Sequence, residues 1–170
     1  MEAREMMELR EYQPSDIKGI IILHDEFMRE YFSEFYTDKH RITQDKPGQQ
    51  VSELEDTHNS YIQEGGKFWV IESKGKIIGL VGIRIVDENT AELINMRVKK
   101  DYRGQGLGKK LLAKAEKYCR NTGRQKIILH TAKRLVIARK MYESYGFKLN
   151  NEQVVSGNFT VLSYIKDLDD

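Results

Sequence analysis

Three closely spaced glycines, set between a strand pattern and a helix pattern, constrain this chain more than any other feature. Residues 101–110 read Asp-Tyr-Arg-Gly-Gln-Gly-Leu-Gly-Lys-Lys. Before them, Ala91 to Val98 reads as a strand. After them, Leu107, Leu111, Leu112, Ala115, Tyr118 and Cys119 mark one face of a helix that Gly123 ends. A strand turning through glycines into a helix brings free N–H groups and the positive end of a helix dipole to one point. That point suits an anion, and glycine lets the backbone come close to it.

Spacing excludes two familiar phosphate loops. A Walker A loop needs four residues between its glycines, then Lys and Ser/Thr. Here Gly104 and Gly108 have three between them, and Lys110 stands where the hydroxyl belongs. A dinucleotide fingerprint runs G-x-G-x-x-G and opens a βαβ unit. Here the glycines fall at 104, 106 and 108, after a strand that closes a meander. On the loop alone, a glycine-rich turn with incidental charge stays open as a reading.

The rest of the chain reads as one domain, 1–170. Met6–Tyr12 fits a first strand. Pro14-Ser15-Asp16 offers a helix start, with Ser15 or Asp16 as N-cap, and apolar residues from Ile17 to Phe32 recur at helical spacing. A second helix is expected over Gln50–Gln63, closed by Gly65-Gly66. Lys67–Ser73, Ile77–Val86 and Ala91–Val98 are joined by turns too short for parallel crossovers, so they form an antiparallel meander. Lys126–His130 is a strand buried on both sides. Leu135, Ala138, Tyr142 and Tyr145 mark a further helix face. Val154-Val155 and Phe159–Ile165 read as a final hairpin. The order β-α-α-β-β-β-α-β-α-β-β gives a mixed sheet with helices on it, in the α/β (α+β) class.

Composition narrows the function. The 28 Lys+Arg nearly balance the 26 Asp+Glu, and a net charge of +2 gives no support to nucleic-acid binding by bulk electrostatics. With 39% apolar residues, 170 residues can bury a core without disulfides or metal. The single cysteine, Cys119, fits a reducing compartment and a packing role. The charged first residues have no apolar core of a signal peptide, and the longest apolar run, Ile20–Leu23, is far short of a membrane span. A cytoplasmic protein is expected. His24, His40 and His58 have no metal-ligand spacing, so no metal is expected.

One pattern does fit the loop: Arg103-x-x-Gly106-x-Gly108 resembles the Gln/Arg-x-x-Gly-x-Gly/Ala pyrophosphate loop of the GNAT superfamily of acyl-CoA-dependent N-acyltransferases. Ala91–Val98 resembles that family's fourth strand. Ala138-Arg139-Lys140-Met141-Tyr142-Glu143-Ser144-Tyr145-Gly146-Phe147 resembles its Ala-x-x-x-Tyr-x-x-x-Gly-Phe segment. The resemblance spans about residues 67–165. It implies a mixed, mostly antiparallel sheet of about seven strands flanked by four helices. It further implies an enzyme that moves an acetyl group from acetyl-CoA to a primary amine by direct attack. A homodimer is compatible with it.

Roles for individual residues follow from the same resemblance. Backbone N–H groups of Gly104, Gln105, Gly106, Leu107, Gly108 and Lys109 would hold the pyrophosphate, with charge from Arg103 and from Lys109 or Lys110. Gly106 and Gly108 would keep side chains off the phosphates. The backbone of Met96, Arg97 and Val98 would pair with the pantetheine amides, and Val98 N–H would polarise the thioester carbonyl. Tyr142 would protonate the leaving thiolate; the alternative is a buried Tyr bonded to backbone. Glu92, expected to share a strand face with Met96 and Val98, would relay the amine's proton; the alternative is a strand residue paired with Lys or Arg. His130 reads as a structural histidine near the acceptor. Leu135 stands where many members carry Asn, which removes one polar contact to the pantetheine arm.

Phe27, Tyr31, Phe32, Phe35 and Tyr36 crowd the end of the first helix, interspersed with Glu26, Glu30, Glu34 and Asp38. Those carboxylates would favour a cationic amine. A non-catalytic acyl-CoA-binding module of the same fold, or a nucleotide-phosphate binder using the loop alone, are the rivals.

Overall fold

The computed structural model describes residues 6–35, 47–157 and 159–168, with the side chains of 47–54 and 156 left out. Strand β1 (Met7–Glu11) leads through a 3-10 turn (Pro14–Asp16) into α1 (Ile17–Tyr31), and α2 covers Pro47–Gln63. The meander β2 (Lys67–Ser73), β3 (Lys76–Ile85) and β4 (Thr90–Val98) follows. Then come α3 (Leu107–Asn121), β5 (Lys126–Ala132), α4 (Val136–Ser144), β6 (Lys148–Ser156) and β7 (Phe159–Asp167). The order of elements is the expected one.

The seven strands form one sheet in the order β1-β2-β3-β4-β5-β7-β6. Only β4 and β5 pair in parallel. Alternation along β2 separates two layers. Trp69 and Ile71 join the core with α3 and α4, while Phe68 and Val70 pack with Ile20 and Leu23 of α1. Helices therefore cover both faces.

Local differences from the sequence reading have local causes. Asp16 caps the 3-10 turn: its carboxylate accepts the Gln13 N–H at 2.8 Å and both terminal nitrogens of Arg10 at 2.8 Å. Helix α2 begins at Pro47, three residues earlier than expected, since Pro is well suited to a first helical position. Strand β6 begins at Lys148, six residues before Val154. It pairs only with β7 at the sheet edge, and its exposed Lys-Leu-Asn-Asn-Glu start carries no apolar alternation.

A further difference matters for function. β3 pairs Gly82 with Ile94 but Leu80 with Arg97, so Asn95 and Met96 together oppose Val81. This is a β-bulge, and Asn95 takes φ +53° within it. Asn tolerates the left-handed region better than its apolar neighbours would. The extra residue flips the alternation. Ala91, Leu93, Met96 and Val98 face the α3/α4 core, while Ile94 faces α1. Glu92 therefore does not share a face with Met96 and Val98, contrary to the expectation from unbroken alternation.

Candidate active site

The parallel ladder between β4 and β5 stops at Leu93↔Leu129. Beyond it β5 continues with β7, pairing His130 with Ser163, while β4 continues only with β3. The two strands splay, and a cavity of about 760 Å³ opens between them. Its walls come from the end of β4, the end of β5, the glycine loop, α4 and the aromatic end of α1.

The glycine loop forms the mouth. Gly104 and Gly106 have φ of +75° and +80°, which supplies the tight turn. Helix α3 has its first backbone bond from Lys110 N–H to Gly106 O, so the N–H groups of Leu107, Gly108 and Lys109 have no helical acceptor. Gly108 also has a packing role. A Cβ there would lie 2.5 Å from Met141 Sδ, so its smallness lets α3 and α4 approach.

Arg103 differs from the expectation. Its Nε donates to Val98 O at 2.8 Å, and its terminal nitrogens donate to Glu30 Oε1 and Oε2 at 2.7 and 2.9 Å and to Tyr31 OH at 2.9 Å. Those bonds use four of the five guanidinium N–H groups. The side chain that was expected to add charge for a pyrophosphate instead ties the loop to α1. Arg103 holds the Glu30 carboxyl below the usual range, against the opposing effect of burial.

At the end of β4, Lys99 N–H donates to Ile78 O at 2.8 Å, and Val98 lies opposite Gly79. Antiparallel alternation then turns the Val98 N–H and C=O away from β3, toward the splay. Arg103 takes the carbonyl, and the N–H is left facing the cleft. The same alternation commits the Arg97 backbone to Leu80 on β3, so Arg97 has no backbone groups to offer a pantetheine arm. Its side chain instead lines the cavity, with the guanidinium 4.7 Å from the Phe27 ring centroid.

Tyr142 projects from α4 and is 5% exposed. Its ring packs edge-on against Phe147 at 5.9 Å. Its hydroxyl makes no hydrogen bond with any described residue, yet the side chain lines the cavity. Burial pushes the phenol's pKa up, while the nearby Arg97 charge pulls the other way. Tyr145, three residues on, is partly buried beneath Lys166, whose ammonium lies 4.2 Å from its ring centroid.

Glu92 is buried and paired at both oxygens. Oε2 takes the guanidinium of Arg84, and Oε1 lies 2.9 Å from His130 Nδ1. His130 sits at the first step of the splay with its side chain about half exposed. A ring that bonds a carboxylate through Nδ1 carries its proton there and turns the Nε2 lone pair outward. This dyad is not visible in the sequence, because it depends on the parallel register that sets Glu92 opposite Ile128, two positions before His130.

Carboxylates in and just after α1 are paired with cations. Lys99 bonds Glu26 at 2.6 and 2.7 Å, Arg103 bonds Glu30, and Arg134 bonds Glu34. The expectation that these acids recruit a cationic amine loses its basis. Phe27, Tyr31 and Phe32 line the cavity; Tyr36, Asp38 and His40 lie outside the described residues. Cys119 is fully buried in the core, and burial pushes its thiol up to about 12. Among the described residues, no group of three or more His, Cys, Asp or Glu could hold a metal ion, and no helix is long and apolar enough to cross a membrane.

Known proteins share this architecture. An acetyltransferase of the GNAT family from Staphylococcus aureus Mu50 superposes with a TM-score of 0.77 over 96% of this chain and 100% of its own, at 24% identity. The PaiA N-acetyltransferase of Thermoplasma acidophilum, solved in complex with coenzyme A, gives 0.74 over 93% and 98%, at 19% identity. In sequence, human N-acetyltransferase 8B is 34% identical over 103 residues, which is 57% of this chain and 45% of that protein. N-acetylaspartate synthetase of Xenopus tropicalis is 35% identical over 99 residues, 57% of this chain and 36% of that protein. The chain thus matches less than half the length of these relatives. Residues 22–147 match the sequence profile of the Acetyltransferase (GNAT) family, and the chain belongs to that family.

Proposed function

We propose that this chain is an acetyl-CoA-dependent N-acetyltransferase that passes the acetyl group directly to a primary amine. The observation that carries this reading is Tyr142: a phenol kept protonated by burial, hydrogen-bonded to none of the described residues, on the wall of a cleft entered past an anion-ready helix start. The cleft suits the donor. Free N–H groups from Leu107 to Lys109 fit a pyrophosphate, and the open Val98 N–H fits a carbonyl oxygen.

The steps then follow from these residues. The amine gives up a proton to His130 Nε2, with Glu92 holding the ring and stabilising the charge it gains. The nitrogen lone pair attacks the thioester carbon, forming C–N, and the Val98 N–H takes the developing oxyanion. As C–S breaks, Tyr142 donates its proton to the departing thiolate, and the attacking nitrogen sheds its second proton to water to leave a neutral amide. The phenolate regains its proton from solvent. The one cysteine of the chain is sealed in the core, which supports direct transfer over an acetyl-cysteine intermediate.

Steady-state kinetics with thiol detection of CoA release, across polyamines, amino acids, aminoglycosides and peptide N-termini, test this. Intersecting initial-rate lines are expected when both substrates are varied. Parallel lines would overturn direct transfer. Tight CoA binding without turnover of any amine would overturn the enzyme reading in favour of a binding module.

A further inference from the structure

One end of the cleft holds a cation without a counter-charge among the described residues. Arg97 is partly buried and lines the cavity. Its Nε is shielded from solvent and has no hydrogen-bond partner. Its guanidinium makes no ion pair or hydrogen bond with any described residue, and rests only on the face of Phe27. The arginines and the lysine paired around it contrast with this: Arg84 has Glu92, Lys99 has Glu26, Arg103 has Glu30 and Arg134 has Glu34. An unpaired charge taken out of water is costly, and burial pulls the Arg97 pKa down to about 10, still charged at neutral pH. A guanidinium held this way matches a carboxylate, which it can grip with two parallel hydrogen bonds.

The donor does not meet that need. Its phosphates fit the start of α3, and the pantetheine arm and thioester carry no negative charge. Arg97 also lies on the other side of β4 from its neighbours Met96 and Val98, and the Asn95 bulge makes that the side packed against α1. It is close enough to Tyr142 for their charges to interact, so a carboxylate bound there would sit near the reacting end of the cleft.

We propose that Arg97 is the specificity residue for a carboxylate on the acceptor, and that the acceptor is a small amine of the amino-acid class. This rests on the acetyltransferase reading above.

The test uses the full chain, acetyl-CoA and matched acceptor series: free amino acids, their amides and the corresponding decarboxylated amines. For at least one side chain, kcat/KM for the free acid should exceed that for the amide and the amine by about tenfold or more. Arg97→Gln should erase that preference by raising KM for the acid, and Arg97→Lys should restore part of it. Equal or better use of the amides or amines by the native chain would overturn the proposal. So would an Arg97→Gln variant that slows acid and amide alike through kcat, since Arg97 would then serve Tyr142 rather than the acceptor. Should Arg97→Gln fail to fold, the comparison in the native chain decides alone. If nothing turns over, calorimetry on the CoA-saturated protein reads the same preference, and equal binding of acid and amide overturns it. Turnover without acid preference sinks only this proposal; absence of both turnover and CoA binding sinks the reading beneath it.

Discussion

His58 is a residue whose surroundings alone set its charge. It is fully buried, stacked on Phe68 at 4.1 Å, with neither ring nitrogen hydrogen-bonded. Burial lowers its pKa to about 4 from an ordinary 6.5. The unfolded chain therefore binds a proton between those values and the folded chain does not. Stability is full above about pH 6.5 and falls as pH drops toward 4, by on the order of 3 kcal/mol for this group. His24 adds an effect of the same sign. Urea titrations between pH 7 and 4 should show the decline, and His58→Phe should remove its share; an unchanged slope in that variant contradicts the assignment. The Glu92–His130 dyad matters through its geometry instead. His130→Ala should lower kcat/KM by roughly 10²-fold near neutral pH and much less at high pH, where the amine loses its proton unaided. A pH–rate profile checks this, and a pH-independent loss would assign His130 to structure. Both histidines look alike in the sequence. What distinguishes them is tertiary: a helix face against Phe68 for one, the β4–β5 register for the other.

Among the elements, β4 carries the most consequence per residue. The bulge at Asn95 reverses which residues face each layer, and so puts Glu92 on the face of Arg97 and away from Met96 and Val98. A β-branched residue in the left-handed region is strained, so Asn95→Val should cost about 1–2 kcal/mol and depress turnover, while Asn95→Gly should keep both. Equal stability of the two variants in urea titrations would mean that the strand does not need this conformation. The bulge explains why Glu92 could be nominated from sequence while its face could not: period-two reading holds only until an inserted residue breaks it. Helix α1 gives the converse lesson. Its acids stood out in the sequence as a candidate acceptor surface, but long-range partners at Lys99, Arg103 and Arg134 consume them. A charge can be read from sequence, and its counter-charge across the fold cannot.

For the molecule as a whole, the order of elements and the places of the glycine loop and the Tyr142 helix were legible because they are written locally. Turn lengths force the meander, and the glycine spacing and the Tyr142 segment lie on contiguous stretches. The acceptor side was not legible. The side proposed for it is assembled by splayed strands and by an arginine with no ion pair among the described residues. Strand β6 was short in the sequence reading because an exposed edge strand needs no apolar face. Ligand linkage should be visible globally: acetyl-CoA at about 100 times its Kd should add about 2.7 kcal/mol of stability, and ATP at the same concentration far less. An equal thermal shift from both would favour a plain phosphate binder. The most direct measurement is the paired determination of kcat and acetyl-CoA Kd for Tyr142→Phe. Loss of the phenolic proton should lower kcat by about 10²-fold or more, with Kd nearly unchanged. A variant that turns over at the native rate would contradict the role given to Tyr142 and, with it, the mechanism built on this cleft.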